Sequence, residues 1–212
     1  MSTTRICLIR HGETEWNRRQ IFRGISDMPL NENGRKQAEA LGRRFASVSL
    51  RSIYASKLSR ALETAKAIAG NQGDKNIITV DEGLTDIHRG EWEGVAHDEV
   101  KKKYPDLYAK WFQSPHEVRF PGGESLQNVQ RRAWKSFDAI RRSAKGSDVA
   151  VVSHHVVLRT ILCGLFGLDL THFRQFELHP ASISEILLEQ DTWVLRRLND
   201  TGHLDKADSP CE

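Results

Sequence analysis

Arg10-His11-Gly12-Glu13-Thr14 follows directly on the apolar run Ile6-Cys7-Leu8-Ile9. That run reads as a buried strand, so a cation and an imidazole sit at its carboxyl end, where open α/β sheets bind ligands. Gly12 lets the backbone turn sharply there and approach a ligand closely. A second apolar run, Val149 to Val152, ends in Ser153-His154-His155. One histidine at a strand exit is ordinarily a packed one, although a buried imidazole without partners costs free energy. Two strands ending in histidine within one small chain point instead to a shared pocket. A third stretch, Ser56-Lys57-Leu58-Ser59-Arg60-Ala61, joins a strand to a helix. A helix N-terminus offers free amides and a favourable dipole to an anion, and Arg60 in its first turn is well placed only beside one. The polar stretch from Asp81 to Gly94 carries Glu82, Asp86, Glu91 and Glu93. Most of these are expected to be solvated loop carboxylates, and one near the strand ends would serve as a proton donor.

Imidazoles and arginines around a common point suit the handling of an oxyanion. The chain has no Gly-x-x-x-x-Gly-Lys-Ser/Thr, Gly-x-Gly-x-x-Gly, His-Glu-x-x-His, Cys-x-x-Cys or Gly-x-Ser-x-Gly motif. Zinc on His11, His154 and His155 is allowed by spacing, but the neighbouring arginines repel a dication, so neither metal nor cofactor is expected.

The elements that must position these groups alternate. Strands are predicted at 5–9, 53–55, 77–80 and 149–152, with two more at 183–188 and 193–198 around Gln190-Asp191. Asn31 is the predicted N-cap of a helix to about Ser47, carrying the stripe Ala38, Leu41, Gly42 and Phe45. Leu58, Ala61, Leu62, Ala65, Ile68 and Ala69 mark a second helix. Shorter helical pieces at about 95–104 and 106–113 are broken by Pro105 and Pro115. A long amphipathic helix follows Gly122-Gly123, through Leu126, Val129, Ala133, Phe137 and Ile140, and another spans 155–166. Alternating strands and helices predict a three-layer α/β sandwich with a mainly parallel central sheet flanked by helices on both faces. Residues 1–200 are read as one domain, and 201–212 as a polar C-terminal tail.

A net charge of +3 in 212 residues is too small to imply nucleic-acid binding. No apolar stretch is long enough to span a bilayer. Three cysteines in no motif argue for a reducing compartment, and the chain leads straight from Met-Ser-Thr-Thr-Arg into the first strand, so a cytoplasmic protein is expected. Leu165-Phe166-Gly167-Leu168 and the last strands are read either as core or as the surface of a homodimer.

Arg10-His11-Gly12-Glu13-Thr14-Glu15-Trp16-Asn17, Ser59-Arg60-Ala61, Gly90-Glu91-Trp92-Glu93-Gly94, Gly122-Gly123-Glu124-Ser125 and Ser153-His154 occur in this order. The ordered set resembles the phosphoglycerate-mutase-like branch of the histidine phosphatase superfamily. The resemblance implies that His11 is the nucleophile that becomes a phosphohistidine, with Arg10, Asn17, Arg60 and His154 clamping the phosphoryl oxygens. An unperturbed imidazole pKa of about 6.5 leaves much of the base neutral near pH 7, and adjacent arginines favour that form further. Arginine forks suit oxyanion contacts and stabilise the charge of the transition state, so no metal is required. The family's usual acid is a glutamate in a Leu-x-Glu run. The matching run here is Leu84-Thr85-Asp86, which assigns the general acid to Asp86, with Glu82 as second choice. Arg23 stands where glutamine is common in the family's phosphatases, before Gly24, and points to an anionic substrate. Arg89 holds a rim position, and His155 follows His154.

Tyr104-Pro105-Asp106, Trp111, the segment from Pro115 to Ser125 and the ending Leu198 to Leu204 are most similar to the metal-independent phosphoserine phosphatases of the superfamily. In that group the C-terminal segment contributes to the pocket, so His203 is either a substrate contact or part of a terminal tail. The implied activity is hydrolysis of a small polar phosphate ester, phosphoserine first. A phosphoglycerate mutase, an alpha-ribazole phosphatase and a non-catalytic phosphate-binding domain are the alternatives.

Overall fold

The computed structural model describes residues 3–73, 77–189 and 192–204. The turn expected at Gln190-Asp191 and the tail from residue 205 lie outside the described residues. In chain order the elements are β1 (Thr4–Arg10), α1 (Glu15–Arg18), α2 (Glu32–Phe45), β2 (Leu50–Ala55), α3 (Ser59–Ala69), β3 (Ile78–Val80), α4 (His97–Lys103), α5 (Pro105–Gln113), α6 (Leu126–Ser143), β4 (Asp148–Ser153), α7 (His155–Leu165), β5 (Ile183–Glu189) and β6 (Thr192–Asp200).

The six strands make one sheet in the order β3-β2-β4-β1-β5-β6. The first four are parallel, and β5 and β6 extend the sheet antiparallel beyond β1. Residues alternate across β1: Ile6 and Leu8 join the core under α6 and α7, while Cys7 and Ile9 join the core under α2 and α3. β4 divides the same way, Val149 and Val151 to one side, Ala150 and Val152 to the other. A strand covered on both faces has no polar side to show, which is why both runs are continuously apolar. Helix pairs α2/α3 and α6/α7 complete the expected three-layer sandwich.

The helices form where local chemistry places them. The Asn31 side chain accepts the Gly34 amide at 2.7 Å and opens α2, which buries Ala38, Leu41, Gly42 and Phe45. Ser125 and Asn128 cap α6 reciprocally, and its stripe Leu126, Val129, Ala133, Phe137 and Ile140 is buried throughout. Removing each large apolar side chain of that stripe from water contributes about 1.5–3 kcal/mol. Pro105 restarts the chain as a helix rather than only breaking it. It occupies the first turn of α5, where its missing N–H is no loss. Leu165 is buried, and Phe166 and Leu168 pack against the same core.

Candidate active site

The pocket is built by strand register. Adjacent parallel strands β1 and β4 pair Arg10 with Ser153, so the next residue of each, His11 and His154, emerge side by side. Their ring centroids are 5.0 Å apart. The His11 amide donates to the Ser153 carbonyl at 3.0 Å, and the His11 carbonyl accepts the Ala181 amide at 3.1 Å. Both backbone groups are therefore fixed, and only the ring is left for chemistry.

The His11 ring has a determined orientation. Nδ1 lies 2.6 Å from the Gly12 carbonyl oxygen, which can only accept, so Nδ1 carries the proton. In the neutral ring the lone pair is then on Nε2. Burial holds the His11 pKa well below 6.5, and Arg60, His154 and Arg10 push the same way. His154 is likewise held neutral, by burial first and then by Arg60. His154 Nε2 shares a hydrogen bond with Ser56 Oγ at 2.9 Å, while its Nδ1 lies 3.7 Å from Asp86 Oδ2. Ser56 is the exit residue of β2, the strand beside β4.

Gly12 serves a different neighbour from the one expected. A Cβ there would stand 2.5 Å from the Gly34 carbonyl oxygen at the start of α2. The residue lets the loop that follows His11 lie against that helix. The N-terminus of α3 also departs from expectation. Its first amide and hydroxyl, Ser59 N and Oγ, both donate to Asp27 Oδ1 at 2.7 Å. The anion at that helix end is thus the protein's own carboxylate.

Arg60, fully buried, reaches from α3 to the segment around Gly24 and to Asp86. Its Nη2 donates to the Gly24 carbonyl at 2.8 Å and to Asp86 Oδ2 at 3.3 Å, and its Nη1 donates to the Ser26 carbonyl at 3.1 Å. Gly24 therefore holds the Arg60 guanidinium through its backbone carbonyl. Asp86 is 2 % exposed, with Oδ1 accepting the Ile87 amide at 2.9 Å. Glu82, the other acid considered, has a side chain 82 % exposed and paired with Lys57, away from these groups. Arg10 donates to the Leu178 carbonyl at 2.6 Å. Burial, then Arg23 and Arg159, lower its pKa to about 9, which leaves it charged at neutral pH.

Two residues take positioning roles that the sequence did not assign to them. Arg132 of α6 donates to the carbonyls of Gly83 and Asp86 at 2.9 Å and to both oxygens of Glu124. It pins the loop that presents Asp86. The Glu93 carboxylate accepts the amides of Ile25 at 3.1 Å, Ser26 at 2.9 Å and Arg89 at 2.9 Å, and so fixes the segment whose carbonyls hold Arg60.

A cavity of about 140 Å³ has walls that include Arg23, Arg89, His155, Arg159 and Arg174; His11 and His154 do not line it, although Arg23 and Arg159 act electrostatically on Arg10. Three of these residues were expected there; Arg159 and Arg174 were not. Arg159 was readable, since it follows His155 by four residues and shares its face of α7. Arg174 lies in an aperiodic turn and offered no pattern. Two further residues expected at the substrate do not line this cavity. Asn17 Oδ1 accepts the Thr14 amide at 3.0 Å and the Thr14 hydroxyl at 2.8 Å, closing the turn at α1. The His203 ring is set among Ala181, Asp200 and Arg44 and does not line this cavity. Among the described residues, no group of three or more His, Cys, Asp or Glu side chains is arranged to hold a metal ion, and no helix is long and apolar enough to cross a membrane.

A mixed α/β sheet with its functional side chains at the carboxyl ends of adjacent parallel strands defines a phosphoglycerate-mutase-like sandwich. Residues 6–201 match the family model of the histidine phosphatase superfamily, branch 1, and the chain belongs to that family. It is 38% identical to phosphoserine phosphatase 1 of Hydrogenobacter thermophilus, over 94% of each chain. It is 31% identical to phosphoglycerate mutase-like protein 4 of Arabidopsis thaliana, over 95% of this chain and 87% of that one. Among solved structures, a mutant phosphoserine phosphatase from Entamoeba histolytica in complex with phosphoserine superposes with a TM-score of 0.83 at 30% identity, covering 95% of this chain and 99% of that one.

Proposed function

We propose that the protein is a metal-independent phosphomonoesterase working through a phosphohistidine on His11. The observation that carries the reading is the His11 Nδ1–H bond to the Gly12 carbonyl at 2.6 Å, which leaves Nε2 as a lone-pair nucleophile beside Arg60 and His154. Nε2 attacks phosphorus, the bond between phosphorus and the ester oxygen breaks, and the leaving alkoxide takes a proton from Asp86. Asp86, now a carboxylate, accepts a proton from the water that attacks the phosphohistidine, which releases phosphate and restores Nε2. Arg10, Arg60 and His154 surround the phosphoryl oxygens, and preorganised donors of this kind act most strongly where water is excluded.

Phosphoserine, named in two of the relatives above, is the first ester to assay. Released phosphate is measured over a panel of phosphorylated metabolites, together with acid-labile label retained on the protein. His11→Ala should abolish both signals. Appreciable turnover by that variant, or label on another residue, would refute the mechanism.

A further inference from the structure

His154 can donate to a phosphoryl oxygen only if the nitrogen turned toward the site carries the proton. A neutral imidazole has one N–H and one lone pair, and its surroundings decide which nitrogen holds which. Burial and the nearby arginines keep this ring neutral. Its Nε2 lies 2.9 Å from Ser56 Oγ. Its Nδ1 lies 3.7 Å from Asp86 Oδ2, too far for a hydrogen bond, and has no other partner among the described residues.

Ser56 is 0 % exposed and directly follows β2, where its amide donates to the Val152 carbonyl at 3.1 Å. Its Oγ already accepts the Leu58 amide at 3.3 Å. A hydroxyl has one proton to give and two lone pairs to offer. If Nε2 carried the ring proton, Oγ would accept twice, and its own proton would meet no acceptor among the described residues. A buried donor left unmet costs more than a hydrogen bond gains. If Oγ donates to Nε2, both of these atoms are satisfied and the ring proton falls on Nδ1. The far side of the ring agrees, since an N–H there faces the Asp86 oxygen, whereas a lone pair would face another lone pair.

Resting on the phosphatase reading above, we infer that Ser56 is a positioning residue: by donating to Nε2 it fixes His154 as the Nδ1–H tautomer and turns a donor toward the phosphoryl oxygens and Asp86. Ser56 itself touches no reacting atom. Arg60 Nη2 stands 3.3 Å from the same Asp86 oxygen. Two donors therefore approach the atom that becomes negative once Asp86 has given its proton to the leaving group. Ser56, His154 and His11 follow β2, β4 and β1, three adjacent parallel strands, so the sheet itself sets this row of contacts.

The test is NMR of the intact protein labelled with nitrogen-15 in its histidines, at neutral pH, with the His154 signals assigned by their loss in His154→Gln. Long-range couplings between ring nitrogens and carbon-bound protons distinguish the two tautomers without reference to turnover. The unmodified protein should show a protonated Nδ1 and a bare Nε2 at His154. A protonated Nε2 there would overturn the proposal, whatever the variants do. Ser56→Ala should release the ring into a mixture of tautomers and lower kcat for p-nitrophenyl phosphate about tenfold with KM nearly unchanged, as for one hydrogen bond realised in the transition state. Ser56→Thr, which keeps the hydroxyl, should recover the tautomer and much of the rate, while circular dichroism monitors folding. If Ser56→Ala keeps both the tautomer and the kcat of the unmodified protein, the role assigned to Ser56 fails. The expected tautomer in a protein that hydrolyses no ester would remove the phosphatase reading and leave the Ser56 bond standing; turnover with the opposite tautomer would do the reverse.

Discussion

Acidification should destabilise this protein through the same two imidazoles that build its site, and the size of the effect follows from their burial. His11 and His154 are 1 % and 0 % exposed, and both are held neutral with pKa values well below 6.5. In the unfolded chain they titrate near 6.5, so below that pH the unfolded state binds more protons than the folded one. Stability then rises with pH. The contribution is fully present above the unfolded pKa and is lost as pH falls through it. Between pH 7 and pH 5.5 each imidazole that stays neutral in the fold costs about 1.3 kcal/mol, so the pair costs about 2.5 kcal/mol. For a chain of this size that corresponds to a fall in Tm of about 5–10 °C. His155 and His97, only partly buried but also lowered in pKa, act in the same direction.

The assay is urea unfolding at closely spaced pH values, with inorganic phosphate excluded because an oxyanion in the pocket would favour protonated histidine. The carboxylates with lowered pKa, such as Glu124 beside Arg132, lose their contribution only below the ordinary carboxylate range. The window from pH 6.5 to 5.5 therefore belongs to histidine. His11→Gln and His154→Gln should each flatten the slope in that window by about one proton, whatever they do to absolute stability. If the double variant keeps the slope of the unmodified protein, the two imidazoles are not neutral in the fold, and the nucleophile assignment loses its electrostatic basis.

Asp86→Asn should slow hydrolysis of an alkyl phosphate by about 10²–10⁴-fold, and far less for p-nitrophenyl phosphate, whose leaving group hardly needs a proton; equal losses on both substrates would remove Asp86 from the acid role. Glu82→Gln, on an exposed side chain paired with Lys57, should leave both rates unchanged, and a matching loss would move the acid to Glu82. Gly12→Ala places a Cβ 2.5 Å from the Gly34 carbonyl oxygen and should destabilise the fold by about 1–3 kcal/mol, read as a shifted denaturation midpoint. Activity should survive prolonged treatment with a chelator, and its loss with recovery on adding a divalent ion would contradict a site whose charge comes from arginine.

The sheet and its helices were legible because burial leaves periodic traces. β1 and β4 read as uninterrupted apolar runs, and α6 showed its entire buried stripe. The histidine pair was legible for a related reason, since each residue stands at the end of such a run. What escaped was chemistry supplied by folding between distant segments. Nothing local told that Asp27 would cap α3, that Glu93 would brace residues 25 and 26, or that Arg132 would pin the loop of Asp86. Asn17 and Gly24 stand in the right motif, yet the structure uses one to close a turn and the other to offer a carbonyl. Motif position identified the neighbourhood, and only the folded structure shows which neighbours each residue holds.

The unpaired donors of the site tie its cost to its function. Arg10 Nε, Arg60 Nε and two nitrogens of Arg89 are all buried without an acceptor from the protein. Each such group costs about 1–3 kcal/mol, and the fold sustains them through its two cores and the carbonyls already engaged by Arg10 and Arg60. A ligand that brings several oxygen acceptors at once recovers that free energy without any rearrangement of the donors. A neutral or cationic molecule recovers little of it. Selectivity for oxyanions thus follows from the cluster's incomplete satisfaction. The same argument explains why His11 stays neutral among so many cations: burial and each positive charge beside its ring disfavour a proton there.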